Sequence, residues 1–318
     1  VSARELDAAG ITDPALRTAY TRCRALNAAH GRTYFLATRL LAARQRPAVH
    51  ALYGFARWVD DLVDVPAEGA TPDTVGAAID RAERELSFGL ATGLGDEPVV
   101  VALAHTAQRH GIDPALFTAF LDSMRMDLRV RDYPTRADLR RYTHGSASVI
   151  GLQMLPVLGT TADPAEAAPR AAALGEAFQL TNFLRDVAED LDRDRVYLPA
   201  DELAAAGVDR ERLAWCRQRG AADPPVRRAV AEQVARTRTI YRFAAPGVAM
   251  LHPGSRPCIA TALTLYSGIL DRIEAMDHDV FAGRAAVGRA RKALVAAPAL
   301  TRAWWARWRA EAAAARAR

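Results

Sequence analysis

Four Asp-Pro pairs, Asp13-Pro14, Asp113-Pro114, Asp163-Pro164 and Asp223-Pro224, each stand at the head of an amphipathic run. Aspartate at an N-cap accepts from orphan backbone N–H groups and proline is best tolerated in the first helical turn, so each pair predicts a helix start. Beyond these starts Ala, Leu, Arg and Glu recur at helical spacing, while β-branched runs are short, Val99 to Val101 being the clearest. The pattern predicts helices over 14–29, 34–43, 47–65, 72–91, 97–109, 114–130, 136–158, 164–193, 209–219, 224–245, 256–276 and 285–316. The expected fold is all-α.

The breaks near 66–71, 159–163 and 246–255 are short, and no Gly-, Pro- or Ser-rich linker divides the 318 residues. One large helical domain over 1–318 is therefore expected, with about 293–318 as a peripheral C-terminal helix. The absence of a 20–50-residue repeat argues against a solenoid. Half the residues are hydrophobic and a quarter charged, which supports a packed core and excludes a disordered or collagen-like chain. The net charge of +5 suits an anionic ligand, a nucleic acid or an acidic membrane equally. With Lys292 the sole lysine and Asn27 and Asn182 the sole asparagines, the abundance of Arg reads as GC-rich coding bias.

Cys23, Cys216 and Cys258 are widely spaced and form no C-x-x-C, so neither a disulfide framework nor a zinc site is indicated and a reducing cytoplasm is the simplest setting. The N-terminal VSARELDAAG lacks the apolar core of a signal peptide. The uncharged stretch from Thr143 to Ala162 is interrupted by His144, Gln153 and Pro156, which makes it a poor membrane span.

Two helical stripes carry the chemistry. Tyr53, Arg57, Asp60 and Asp64 follow at i, i+4, i+7 and i+11 on one face, and Gln179, Asn182, Asp186 and Asp190 at i, i+3, i+7 and i+11 on another. A single D-x-x-x-D is ordinarily a solvated outer face. Like charges at i, i+4 are unfavourable without compensation, however, and neither stripe carries the interleaved basic ladder of a solvent face. A divalent cation would compensate. Carboxylate and amide oxygens on facing helices are hard ligands that suit Mg²⁺ bridging to a phosphate, with Arg57, Arg185 and Gln179 available as donors to the same anion. No E-x-x-H occurs, which excludes the di-iron carboxylate pattern, and no Gly-rich phosphate loop is present.

The segments HGRTYFLATRLL (His30 to Leu41), ALYGFARWVDDLVD (Ala51 to Asp64), GLQMLP (Gly151 to Pro156), QLTNFLRDVAEDLDRDRVYLP (Gln179 to Pro199) and LYSGILDRIEAMDHDVF (Leu265 to Phe281) occur in order along the chain. In sequence and spacing they resemble the phytoene/squalene synthase family of head-to-head prenyltransferases, bacterial phytoene synthases in particular, from about Cys23 to Lys292. The resemblance implies a class I isoprenoid synthase-like helical domain around a central cavity. There two allylic diphosphates are joined through a cyclopropyl intermediate, with Mg²⁺ as cofactor and Mn²⁺ as a substitute. It implies Asp60, Asp64, Asn182, Asp186 and Asp190 as metal ligands, the four aspartates being catalytic. Tyr53, Arg57, Gln179, Arg185 and Tyr266, with the segment His30, Gly31, Arg32 and Thr33, are implied to contact diphosphate or the prenyl chain beside it. The chain departs from the family where two Ser are usual, carrying Gly31 and Thr33, and where V-A-G-x-V-G is common, reading Ser146-Ala147-Ser148-Val149-Ile150-Gly151.

The expected reaction joins two geranylgeranyl diphosphates to phytoene via prephytoene diphosphate, a greasy cavity excluding the water that would capture the cation. Phe35, Leu36, Phe55, Leu152, Met154, Leu155, Leu158 and Phe183 are candidates for its wall, their alternative being ordinary core. Squalene, dehydrosqualene or presqualene diphosphate synthesis from farnesyl diphosphate is the nearest alternative, and reductive squalene formation would require NADPH; no G-x-G-x-x-G is present, but the family binds NADPH without that fingerprint, so NADPH stays open. A class I terpene cyclase would pair DDLVD with N-D-x-x-S-x-x-x-E, which is absent, and a non-catalytic helical scaffold would be expected to have lost ligands from one stripe. Trp304, Trp305 and Trp308 among Arg302, Arg307 and Arg309 suit a peripheral contact with an anionic membrane or packing on the body. No motif supports nucleic-acid binding. His50, His105, His110, His252 and His278 lack metal-ligand spacing and read as structural or exposed.

Overall fold

The computed structural model describes residues 2–65, 68–288, 294–295, 298–301 and 305. Its helices are α1 (Ala3–Ala8), α2 (Pro14–His30), α3 (Arg32–Thr38), α4 (Arg46–Asp64), α5 (Pro72–Thr92), α6 (Pro98–His110), α7 (Ala115–Met126) and α8 (Arg136–Thr143). They continue with α9 (Val149–Leu158), α10 (Pro164–Asp192), α11 (Ala200–Ala205), α12 (Arg210–Arg219), α13 (Pro224–Ala244), α14 (Gly247–Met250) and α15 (Arg256–Ala275). Three of the four Asp-Pro pairs cap as expected, and Asp113 sits one residue further out, Pro114 being the N-cap of α7. Asp13 Oδ1 accepts from Leu16 N at 2.8 Å, Asp113 Oδ1 from Ala115 N at 2.9 Å, Asp163 Oδ1 from Ala165 N at 2.9 Å and Asp223 Oδ1 from Val226 N at 3.1 Å. Each such cap contributes about 1 kcal/mol. Among the described residues the only β pairings are isolated bridges, Asp132 with Val196 and Thr160 with Leu251.

The helix expected over 136–158 is interrupted by a π turn at His144–Ser148. The extra residue keeps Gly145 against α7, where a Cβ would fall 2.0 Å from Ser123 Oγ and 2.1 Å from the Ala119 carbonyl, so the backbones touch. The helix expected from 285 does not begin there. Residues 284–288 lack helical structure, and Ala285 and Val287 are both buried, the alternation of an extended strap rather than of a helix. Most of the expected C-terminal helix, including Trp304 and Trp308, lies outside the described residues, while Trp305 is half-exposed.

Two apolar cores result. One is built from α1, α2, α4 to α7 and α9, the other from α10 to α13, α15 and the strap at 280–287. A third cluster stacks Tyr133, Tyr142, Phe183 and Tyr197, the rings of Phe183 and Tyr197 lying 4.0 Å apart and 6° from parallel. Between the two main cores lies a cavity. No helix among the described residues is long and apolar enough to cross a membrane.

Candidate active site

The first stripe lies on α4 and the second on α10, and both helices open on that cavity, Tyr53 from one side and Gln179 and Asn182 from the other. On α10 the wall is a single face, Ala167, Arg170, Ala171, Leu174, Gly175, Phe178, Gln179 and Asn182, at helical spacing. Beside it, the π turn and α9 supply Ser146, Ala147, Ile150, Met154, Leu155 and Leu158. The two walls are held close by glycine. A Cβ on Gly175 would lie 2.3 Å from the Ala147 carbonyl, and one on Gly151 would lie 2.1 Å from that of Ala171.

At the polar end the acids are met by arginines. Arg57 Nη1 donates to Asp60 Oδ2 at 3.2 Å and its Nη2 donates to Asp61. Asp64 receives Arg193 and Arg195 at 3.1 Å each, which ties the segment just past the second stripe to the end of the first. Asp186 accepts from Arg185 Nε and Arg284 Nε, both at 2.8 Å. Asp190 makes no ion pair among the described residues.

Burial, followed by the neighbouring Asp64, pushes the Asp60 carboxyl up to about 6, and burial with Asp186 pushes Asp190 up to about 7. Burial acts on Asp186 too, yet Arg185 and Arg284 hold it below the usual carboxylate range. Asn182 Nδ2 donates to Gln179 Oε1 at 3.3 Å, and its Oδ1 is buried without a partner. An unpaired amide oxygen beside under-compensated carboxylates is a set of hard oxygens that fits Mg²⁺. Among the described residues no three carboxylates, imidazoles or thiols converge on one point; the acids rest against guanidinium groups.

Other expected contacts are distributed unevenly. His30 is exposed at the end of α2, and Gly31 is buried at the turn into α3. The side chains of Arg32 and Thr33 lie outside the described residues. Tyr266 is buried behind the wall, its ring 4.5 Å from Phe178 and 5.0 Å from Tyr34, both of which line the cavity. Of the apolar candidates, Met154, Leu155 and Leu158 reach the cavity. Phe55 packs instead on Phe117 and Phe120, Phe183 stacks on Tyr197 and Phe35 on His50, and Leu36 and Leu152 are not in the wall.

Several residues of the polar end were not singled out from sequence. Arg193 and Arg195 lie in the RDRVYLP run, whose sequence does not display their contact with Asp64. Asp127 accepts from Tyr142 at 2.7 Å and Tyr197 at 3.3 Å, and its backbone carbonyl accepts from Arg195 at 3.4 Å. Burial raises the Asp127 carboxyl to about 6 against the pull of Arg195.

The family model for squalene/phytoene synthase matches residues 27–291. The chain belongs to this family. It is 38% identical over 296 residues to the chloroplastic phytoene synthase of Daucus carota, covering 92% of this chain and 72% of that protein. To the phytoene synthase of Arthrospira platensis it is 38% identical over 293 residues, covering 86% and 92%. Among solved structures it matches a dehydrosqualene synthase in complex with ligand at a TM-score of 0.80 and 26% identity, covering 90% of this chain and 96% of that one. A squalene synthase from Alicyclobacillus acidocaldarius matches at 0.73 and 28%, covering 85% and 98%. The chain is thus a head-to-head prenyltransferase acting on two prenyl diphosphates, in a family associated with Mg²⁺-dependent catalysis.

Proposed function

We propose that the enzyme joins two geranylgeranyl diphosphates to phytoene through prephytoene diphosphate, releasing both diphosphates. The length of the cavity carries this reading. Its α10 face runs from Asn182 to Ala167, sixteen residues, whose fifteen helical rises give about 22 Å of helix axis. An extended chain advances about 1.2 Å per single bond, so a C20 tail reaches about 19 Å and a C15 tail about 14 Å. The longer tail spans the wall, while the shorter leaves about a third of it empty. Relatives named phytoene synthase, at 37–39% identity, support the same reading.

In this reading Asp60, Asp64, Asn182, Asp186 and Asp190 hold Mg²⁺, which when bound neutralises the charge that develops on the departing diphosphate. Arg57, Arg185, Tyr53, Gln179, Tyr266 and the segment from His30 to Thr33 bind or border the diphosphate. The guanidinium groups now resting on Asp60, Asp64 and Asp186 lie within reach of the same anion and stabilise its departure. The apolar wall keeps water from the cation. No reductant is required.

The test is incubation with C15 and C20 diphosphates in competition, with and without NADPH, followed by product mass analysis. A C40 hydrocarbon unaffected by NADPH is expected; preference for C15 overturns the assignment in favour of a squalene-type product. Ala147 lines the cavity whereas Ser148 does not. Ala147→Phe is therefore expected to move preference toward C15 by about tenfold, an overpacked wall costing about 1–3 kcal/mol. Ser148→Phe should instead lower stability without that shift, and equal shifts in both variants would refute this map of the wall.

A further inference from the structure

Besides Asn182 Oδ1, which belongs to the acidic end, two polar atoms in the cavity wall are left unanswered by the fold. Asn27, on α2, is 0% exposed; its Nδ2 donates to His50 Nδ1 at 3.0 Å, while its Oδ1 has no partner. Ser146 Oγ, on the π turn, is likewise buried and unpaired. Both residues line the cavity, whose remaining surface is mostly hydrocarbon. A buried oxygen without a donor keeps its full desolvation cost, and a prenyl tail offers it nothing.

The direction of the amide goes with the tautomer of His50, Nδ2 donating where the ring carries its proton on Nε2. Burial, with Arg24 and Arg46 adding to it against Glu5, pushes the His50 imidazole down to about 3, so the ring is neutral and its Nδ1 can accept. Phe35 stacks on that ring at 5.8 Å and 29°, and the Arg24 guanidinium covers Phe35 at 5.2 Å. A Cβ built on Gly31 would fall 2.4 Å from Asn27 Oδ1 and 2.9 Å from Tyr53 Cζ, so the amide oxygen lies beside the Tyr53 ring, on the stripe that leads to Asp60. Ser146 is one of the positions at which the chain departs from the commoner V-A-G-x-V-G, a hydroxyl standing in place of the valine side chain.

We infer that Asn27 Oδ1 and Ser146 Oγ stabilise the allylic cation left when diphosphate departs, an inference that rests on the prenyl-transfer reading above. Heterolysis sends the C–O bonding pair to the diphosphate and leaves positive charge shared between C1 and C3 of the allyl group. The two oxygens turn lone pairs toward that charge and form no bond to it. Neutral dipoles suit the task, because a carboxylate in the same place would combine with the cation as an ester. In a dry cavity such fixed dipoles act far more strongly than in water and require no reorientation as charge appears.

The test compares the binding of two prenyl diphosphate analogues matched in shape, one with a protonated amine at the allylic position and one with a neutral carbon there. The chain is expected to prefer the ammonium analogue. Asn27→Leu and Ser146→Ala should each reduce that preference about tenfold while leaving the affinity for the neutral analogue unchanged. His50→Phe, which releases the amide, should give part of the loss. Unchanged preference in both variants, or equal loss of both analogues, overturns the inference. Should Asn27→Leu not fold, Ser146→Ala, a small truncation, decides alone. A wild-type chain that binds neither analogue and turns over neither C15 nor C20 diphosphate overturns the prenyl-transfer reading itself, whereas wild-type turnover with unchanged preferences overturns only the role of the two oxygens.

Discussion

The two stripes share the D-x-x-x-D spacing but compensate their charge differently. On α4 the outer acid, Asp64, is clasped by Arg193 and Arg195 from beyond the end of α10, and Asp60 shares Arg57 with Asp61. On α10 the inner acid, Asp186, takes Arg185 and Arg284, while Asp190 has no ion pair among the described residues. Each stripe thus contains one well-paired carboxylate and one under-compensated, and burial raises the protonation of Asp60 and Asp190 in particular. Negative charge held in surplus on two facing helices is destabilising unless a cation joins it.

The largest expected effect follows from removing a surplus acid. Asp60→Asn or Asp190→Asn should lower turnover by about a thousandfold or more, because the departing diphosphate loses its neutralisation. The melting temperature of the metal-free protein should hold or rise. Full turnover in excess EDTA, or collapse of the fold in both variants, would break the comparison.

The clasp on Asp64 should be unequal. Arg195 is 12% exposed and reaches both Asp64 and the Asp127 carbonyl, whereas Arg193 is 59% exposed. Arg195→Gln is expected to cost about 2–4 kcal/mol in urea unfolding, since a buried partner is stranded, and Arg193→Gln under about 1 kcal/mol. Equal losses would mean that the buried position confers nothing.

The smallest effect lies in pH dependence and separates the acids within one stripe. Folding raises Asp190 to about 7 from an ordinary carboxylate value, so the folded state holds its proton more tightly and stability is lost as pH climbs from about 4 through 7. For Asp186, held low, the sign reverses: its contribution is present above about 4 and lost as pH falls. In metal-free protein at pH 8, Asp190→Asn should melt about 2–4 °C above wild type and Asp186→Asn below it. Thermal scans from pH 4 to 8 measure both, and shifts of the same sign would contradict the assignment of charge.

Much of the architecture was legible because it is local. An Asp-Pro cap acts within three residues, so 14, 164 and 224 begin helices as expected, and a stripe keeps its geometry wherever its helix is placed. Tertiary partners were not legible. Arg284 meets Asp186 from 98 positions away, and Arg195 meets Asp127 across 68. The rotation of each helix about its axis was equally hidden, since it depends on close contacts at Gly54, Gly145, Gly151 and Gly175 that a linear pattern does not display. This is why Phe55 and Phe183, apolar and adjacent to the stripes, turn into core, while Asn27, Ser146 and Arg170 reach the cavity.

That the facing stripes act as one cation and diphosphate site is tested most directly by a double-mutant cycle. Calorimetric titration with inorganic diphosphate in the presence of Mg²⁺ would be performed on wild type, Asp60→Asn, Asp190→Asn and the double variant. Each single change should weaken binding severely, and the double variant should bind little worse than either one, because both acids serve the same occupant. Losses that simply add would mean two independent sites and would contradict the account.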